Sequence, residues 1–111
     1  MIFIAEIGMN YNGHFPLCYE LIKHAKFSGA NIVKFQLGWR DKVNEINRID
    51  RKRIKQLIEW SNYFDIELMF SIISDDAFKL INEFKLKCQL GIRKGTKIIT
   101  IDFWTAWTFV I

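Results

Sequence analysis

The chain has a single proline and two cysteines in 111 residues. So little proline excludes a collagen-like or polyproline chain. Cys18 and Cys88 form no Cys-x-x-Cys pair and no other metal spacing, and both stand among apolar neighbours. They read as buried free thiols in a reducing cytoplasm. The two histidines, His14 and His24, lack ligand spacing and read as surface or capping residues. The sequence has no Walker loop, no Gly-x-Gly-x-x-Gly and no Gly-x-Ser-x-Gly. Their absence removes P-loop nucleotide hydrolysis, Rossmann dinucleotide binding and the serine-hydrolase elbow. Long apolar runs are missing as well: none approaches the roughly 20 residues of a membrane span. The apolar tail from Ile98 to Ile111 is short and contains Asp102. At the other end, Glu6 interrupts a short apolar run that has no basic lead, which is unlike a secretory signal. The expectation is a cytoplasmic protein with no membrane partner.

What is present is the composition of a globular domain. Half the residues are hydrophobic, a quarter are charged, and the net charge is +4. The length suits one domain with a real core. The mild basic excess points only toward anionic partners such as phosphates. The cluster Arg51, Lys52, Arg53 and Lys55 reads as the solvated face of an amphipathic helix, so no nucleic acid partner is expected.

Along the chain, apolar runs alternate with helical periodicity. Ile2 to Ile7 predicts a buried strand, and Gly8 to Gly13 a loop rich in turn formers. Pro16 suits the first turn of a helix with Leu17, Leu21, Ile22 and Ala25 inward, stopped at Gly29. Asn31 to Gln36 predicts the second strand. Asp50 is placed to cap a helix with Ile54, Leu57, Ile58 and Ser61 inward. Ile66 to Ser71 predicts a third strand. Asp75 or Asp76 starts a third helix carrying Leu80, Ile81 and Phe84, and a short strand follows at Cys88 to Gly91. Buried strands alternating with helices imply parallel pairing and right-handed crossovers. After Arg93 the texture changes, and the tail with Trp104 and Trp107 fits no βα unit.

Parallel sheets gather their reactive groups at the C-terminal ends of the strands. Glu6 lies near the end of the first strand, and Lys34 and Gln36 lie near the end of the second, on one face by the period of two. A charge in a buried strand costs several kcal/mol, roughly, unless it is paired or solvated. Two readings follow: a plain Glu6–Lys34 ion pair across neighbouring strands, or the polar floor of an anion-binding mouth. The loop Asn10-Tyr11-Asn12-Gly13 is either a tight turn or the rim of that mouth.

Three segments carry a family resemblance: Phe3-Ile4-Ala5-Glu6-Ile7-Gly8, then Asn10-Tyr11-Asn12-Gly13, then Gly29-Ala30-Asn31-Ile32-Val33-Lys34-Phe35-Gln36. Together they resemble the N-terminal part of the sialic acid synthase family, which includes N-acetylneuraminate, legionaminate and pseudaminate synthases and spore-coat polysaccharide relatives. The match is good over residues 2–36 and continues, mainly in periodicity, to about residue 91. The resemblance implies an α/β fold, an incomplete (β/α)8 TIM-type barrel of about three to four βα units over residues 1–93. Residues 94–111 are a divergent tail. In the family the barrel is followed by a small antifreeze-like domain.

By the same resemblance, phosphoenolpyruvate and an N-acylated amino-sugar aldehyde are the substrates, and a divalent metal, manganese or magnesium, is the cofactor. Lys34 matches the lysine that helps hold phosphoenolpyruvate, and Glu6 matches an acidic, catalytic residue of the active-site floor. Gln36, Asn10 and Asn12 fall on its substrate-binding segments. The chain departs from the pattern in several places. Tyr11 stands where the family has histidine. Ser71-Ile72-Ile73-Ser74-Asp75 replaces Ser-Thr-Pro-Phe-Asp and removes a threonine hydroxyl. Gln89-Leu90-Gly91-Ile92 replaces a Lys-Ile-Ala/Gly-Ser pattern and removes a lysine and a serine. The metal-binding histidines of the family would fall beyond residue 111, so the metal ligands are expected to be absent. These departures imply a truncated or frameshifted synthase, inactive alone. The alternative is a non-catalytic half-barrel acting by self-association or by binding a partner chain.

Overall fold

The computed structural model describes residues 2–38, 42–90 and 106–110. Its elements run β1 (Ile2–Gly8), α1 (Leu17–Phe27), β2 (Ile32–Leu37), α2 (Arg51–Tyr63), β3 (Glu67–Ile72), α3 (Asp75–Phe84), β4 (Lys87–Leu90) and β5 (Ala106–Val110). The strands form one sheet in the order β4-β3-β2-β1-β5, and every pairing is parallel. This is the expected α/β architecture of an incomplete barrel.

Each strand is apolar where it meets the helices, as the shielded face of a parallel sheet must be. Ala5, Ile7, Val33, Phe35, Leu37, Leu68, Phe70 and Ile72 share one core with the helices. Crossovers of one hand that advance in one direction place their helices on the same face. The core has that form: Cys18, Ile22 and Ala25 of α1, Ile54 and Leu57 of α2, and Ala77 and Ile81 of α3 all join it. Alternation turns Ile4, Glu6, Ile32, Lys34, Gln36, Glu67, Met69 and Ser71 to the opposite face. That face is mixed, with Ile4 and Ile32 buried beside two ion pairs, Glu6–Lys34 and Glu67–Lys87.

The helix limits follow local chemistry. Asp50 caps α2, its side chain accepting from the Arg53 N–H. Asp75 begins α3 as expected, but the cap is Ser74, whose hydroxyl accepts from the Ala77 N–H. Gly29 follows α1 with φ +91°, the left-handed stop that glycine supplies without strain.

The packing corrects three details. Leu17 is exposed and Cys18 takes its inward place, because the inner stripe runs Cys18, Ile22, Ala25 at helical spacing. Cys88 is half-buried while Cys18 is buried. β4 spans Lys87–Leu90, one position earlier than predicted, and Gly91 lies outside the described residues. So does the boundary expected between residues 93 and 94. Within the tail, residues 106–110 form β5, paired in parallel to β1 from Ile2↔Ala106 to Glu6↔Val110. A segment that fitted no βα unit therefore takes the β1 edge. Among the described residues no helix is long and apolar enough to cross a membrane.

Candidate functional site

Strands β1 and β2 run parallel with Glu6 opposite Lys34. The register brings the two side chains together: Lys34 Nζ lies 2.5 Å from Glu6 Oε2. Lys34 is buried at 7% exposure, whereas the Glu6 side chain keeps 26%, so the pair opens on the carboxylate side. The ladder shifts between Glu6 and Gly8. A β-bulge at this point re-aims the chain as it leaves the sheet. Gly8 adopts φ +57°, and a Cβ there would lie 3.8 Å from Glu6 Oε1. The second carboxylate oxygen therefore sits beside the start of the loop.

Gln36 is half-buried, two residues beyond Lys34 on the same face. In register with it across β3 stands Ser71. Ser71 brings to this end of the sheet a hydroxyl that the sequence reading did not assign. Ile72, the residue in the family's threonine place, is buried in the helix-side core and faces away from Lys34. Gln89 pairs in register with Ser71 at the backbone.

The loop after β1 is a chain of turns. Asn10 donates its N–H to Ile7, Asn12 to Met9 and His14 to Tyr11. Asn10 and Asn12 are both exposed, and Asn12 takes φ +45°, which asparagine tolerates better than most residues. They follow the C-terminal end of β1, where Glu6 and Lys34 pair. The hydrogen bonds make this segment a turn, as one of its two readings had it.

Tyr11, which stands where the family pattern has histidine, is a core residue. It is 1% exposed, edge-on to Phe15 and tilted against Phe35. Its hydroxyl donates to the Asn47 carbonyl at 2.6 Å. Burial drives the phenol above its ordinary range, with smaller contributions from the Cys18 thiol and Glu45 and an opposing one from Arg53. Tyr11 is therefore a neutral anchor of the loop and no proton carrier at physiological pH. His14 is exposed, and His24 is exposed beside Glu20, with 3.8 Å between Nε2 and Oε2, so both occupy the expected surface.

A hard divalent cation needs several converging oxygen ligands. Glu6 is committed to Lys34, and among the described residues no group of three or more His, Cys, Asp or Glu side chains gathers to hold a metal. The residues present do not fit the metal that the family resemblance implies.

No family model and no curated protein matches the chain. Solved structures do. One is the N-acetylneuraminic acid (sialic acid) synthetase of Leptospira borgpetersenii serovar Hardjo-bovis, in complex with citrate. It is similar with a TM-score of 0.69 and 22% identity, over 77% of this chain and 33% of that one. The chain shares its fold with the sialic acid synthases. The spore coat polysaccharide biosynthesis protein spsE of Bacillus subtilis is similar at TM-score 0.68 and 20% identity, over 80% of this chain and 28% of that one. The chain thus spans about a third or less of the length of these two proteins.

Proposed function

We propose that this chain is a piece of a sialic acid synthase-type barrel whose strand-end mouth takes the anionic end of phosphoenolpyruvate. The observation that carries this reading is the Glu6–Lys34 pair, buried at its lysine and open at its carboxylate, at the strand end from which the Asn10–Gly13 loop departs. A fixed ammonium at a barrel mouth suits a phosphate or carboxylate oxygen. Glu6 holds that ammonium in place, and Gln36 and Ser71 add neutral polar groups along the same face.

In the complete reaction the enolate-like carbon attacks an amino-sugar aldehyde, water adds to the resulting cation, and phosphate leaves. This polypeptide alone is inactive in that reaction. Gripping a phosphate takes several converging donors, and one lysine leaves most of the oxygens unpaired. Ile72 brings no hydroxyl and Gln89 no charge where the family pattern has threonine and lysine. Each missing electrostatic donor typically costs about 10²–10³ in rate.

A phosphoenolpyruvate titration of the whole chain followed by NMR tests the binding. The expected result is weak, saturable binding that Lys34→Ala abolishes, and equal binding by that variant would defeat the site. A coupled phosphate-release assay with manganese, phosphoenolpyruvate and N-acetylmannosamine tests the chemistry. No turnover above the blank is expected. Turnover that vanishes in Lys34→Ala would mean that a second copy supplies the missing donors.

A further inference from the structure

We infer that Asn47, in the segment after β2, is a positioning residue that clamps the β1–α1 loop where it leaves the strand end beside the Glu6 carboxylate. The inference rests on the reading of the Glu6–Lys34 strand end as an anion site and adds to it a residue that neither the family pattern nor the strand-end argument contains.

Two bonds from one residue make the clamp. The Asn47 carbonyl accepts from the Tyr11 hydroxyl at 2.6 Å, and Asn47 Oδ1 accepts from the Gly13 N–H at 2.6 Å. Together they bracket Asn12, whose backbone is left-handed, and fix the turn that carries Asn10 and Asn12. The clamp is itself held from below. Arg53 of α2 donates to the carbonyls of Ile46, at 3.4 Å, and Arg48, at 2.7 Å, the two neighbours of Asn47. Its guanidinium lies 4.8 Å from the centre of the Phe15 ring, just past the loop. Contact fixes the spacing as well: a Cβ on Gly13 would lie 3.0 Å from Ile46 Cδ1. A larger residue there would have to push the Ile46 side chain back by a few tenths of an ångström, and φ +81° at Gly13 favours glycine independently.

A loop tied at Tyr11 and Gly13 presents its rim in one arrangement before a ligand arrives, and ordering it beforehand removes that entropy from the binding step. The clamp joins residues on two different βα connections, so the loop is set by the segment before α2 and not by β1 alone.

The test uses the whole chain with three substitutions. Asn47→Ala removes the acceptor for Gly13, Asn47→Asp keeps an acceptor oxygen in its place, and Tyr11→Phe removes the hydroxyl while keeping the ring. The readouts are amide hydrogen exchange at Gly13 and phosphoenolpyruvate affinity by NMR titration. In Asn47→Ala the Gly13 amide is expected to exchange about tenfold faster and the affinity to fall roughly five- to tenfold, the scale of one lost hydrogen bond. Asn47→Asp should restore both, and Tyr11→Phe should reproduce part of each loss. Unchanged exchange in Asn47→Ala, or faster exchange with undiminished affinity, overturns the inference. A wild-type chain that binds no phosphoenolpyruvate defeats the function reading instead. The clamp then stands or falls on whether Gly13 is protected in the wild type and Asn47→Asp and unprotected in Asn47→Ala.

Discussion

Gly38 follows β2 with φ +84°, and a Cβ there would lie 2.5 Å from Ser74 Oγ and 2.9 Å from Ala77 Cβ. Gly29 has a similar φ of +91° but nothing within 4 Å. Alanine at either site carries left-handed strain of about 1 kcal/mol. At Gly38 it also overlaps the first turn of α3, and such crowding adds about 1–3 kcal/mol. Urea unfolding should therefore show Gly38→Ala to be the more destabilised of the two. Equal losses would mean that the start of α3 gives way freely. Cys18 offers a second test at this scale. Burial pushes its thiol up to about 12, against a smaller lowering by Arg53. In the unfolded chain a thiol ionises near pH 8.5, roughly, so above that the unfolded state has lost a proton which the folded state keeps. The contribution is whole below that pH and is lost as pH rises toward about 12, by at most about 1.4 kcal/mol per unit for one thiol. Tyr11, raised in the same direction by burial, steepens the fall at its upper end. Cys18→Ala should flatten the alkaline decline of stability, and an unchanged slope would show that the thiol does not couple to folding.

At the scale of elements, the two helix caps set up a direct comparison. Asp50 Oδ1 accepts from the Arg53 N–H at 2.9 Å, and Ser74 Oγ accepts from the Ala77 N–H at 3.2 Å. Replacing either by alanine should lower stability by about 1 kcal/mol. For a chain of this size that moves the thermal midpoint by about 4–8 °C. Asp50→Ala should lose more, since its bond is shorter and its charge also meets the positive end of the helix. Thermal melts followed by circular dichroism decide it, and a larger loss in Ser74→Ala would contradict the ranking. Ser74 also marks where sequence reading reached its limit. Serine and aspartate both suit a cap, and only the backbone shows which side chain turns back. The strands β1 to β3 were legible because a shielded parallel strand leaves a continuous apolar run. Leu17 and Cys18 were exchanged because neighbouring apolar residues leave the helical phase open by one position. Glu6 and Lys34 stood out as charges in such runs, and alternation put them on one face. Asn47 was invisible: its partner Tyr11 lies 36 residues away, and a hydroxyl donating to a backbone carbonyl leaves no pattern in either segment.

For the molecule as a whole, the question is what happens at the borders of the sheet. A closed barrel of this type has eight strands and about 250 residues; this sheet has five strands, with β4 and β5 at its edges. Edge strands present unpaired N–H and C=O groups to any matching strand. Lys87, at the start of β4, is bound to Glu67 at 2.8 Å, and a lysine there blunts only one end of that edge. Parallel sheets are ordinarily covered on both faces, yet the described helices all join the core on one face. On the helical side, Phe27 and Tyr63 are 72% and 73% exposed and both lie against Phe64, which makes an aromatic patch at the ends of α1 and α2. Edge strands, a face that none of the described helices covers and an exposed aromatic patch together favour self-association. Light scattering on the purified chain should give a mass well above the 13.2 kDa of one copy, rising with concentration, and a hydrophobic dye should bind strongly. Phe27→Ser with Tyr63→Ser should weaken dye binding while leaving part of the association in place, because the strand edges remain. A dye-silent particle of single-copy mass at every concentration would show that the five strands satisfy themselves, and the half-barrel reading would be wrong.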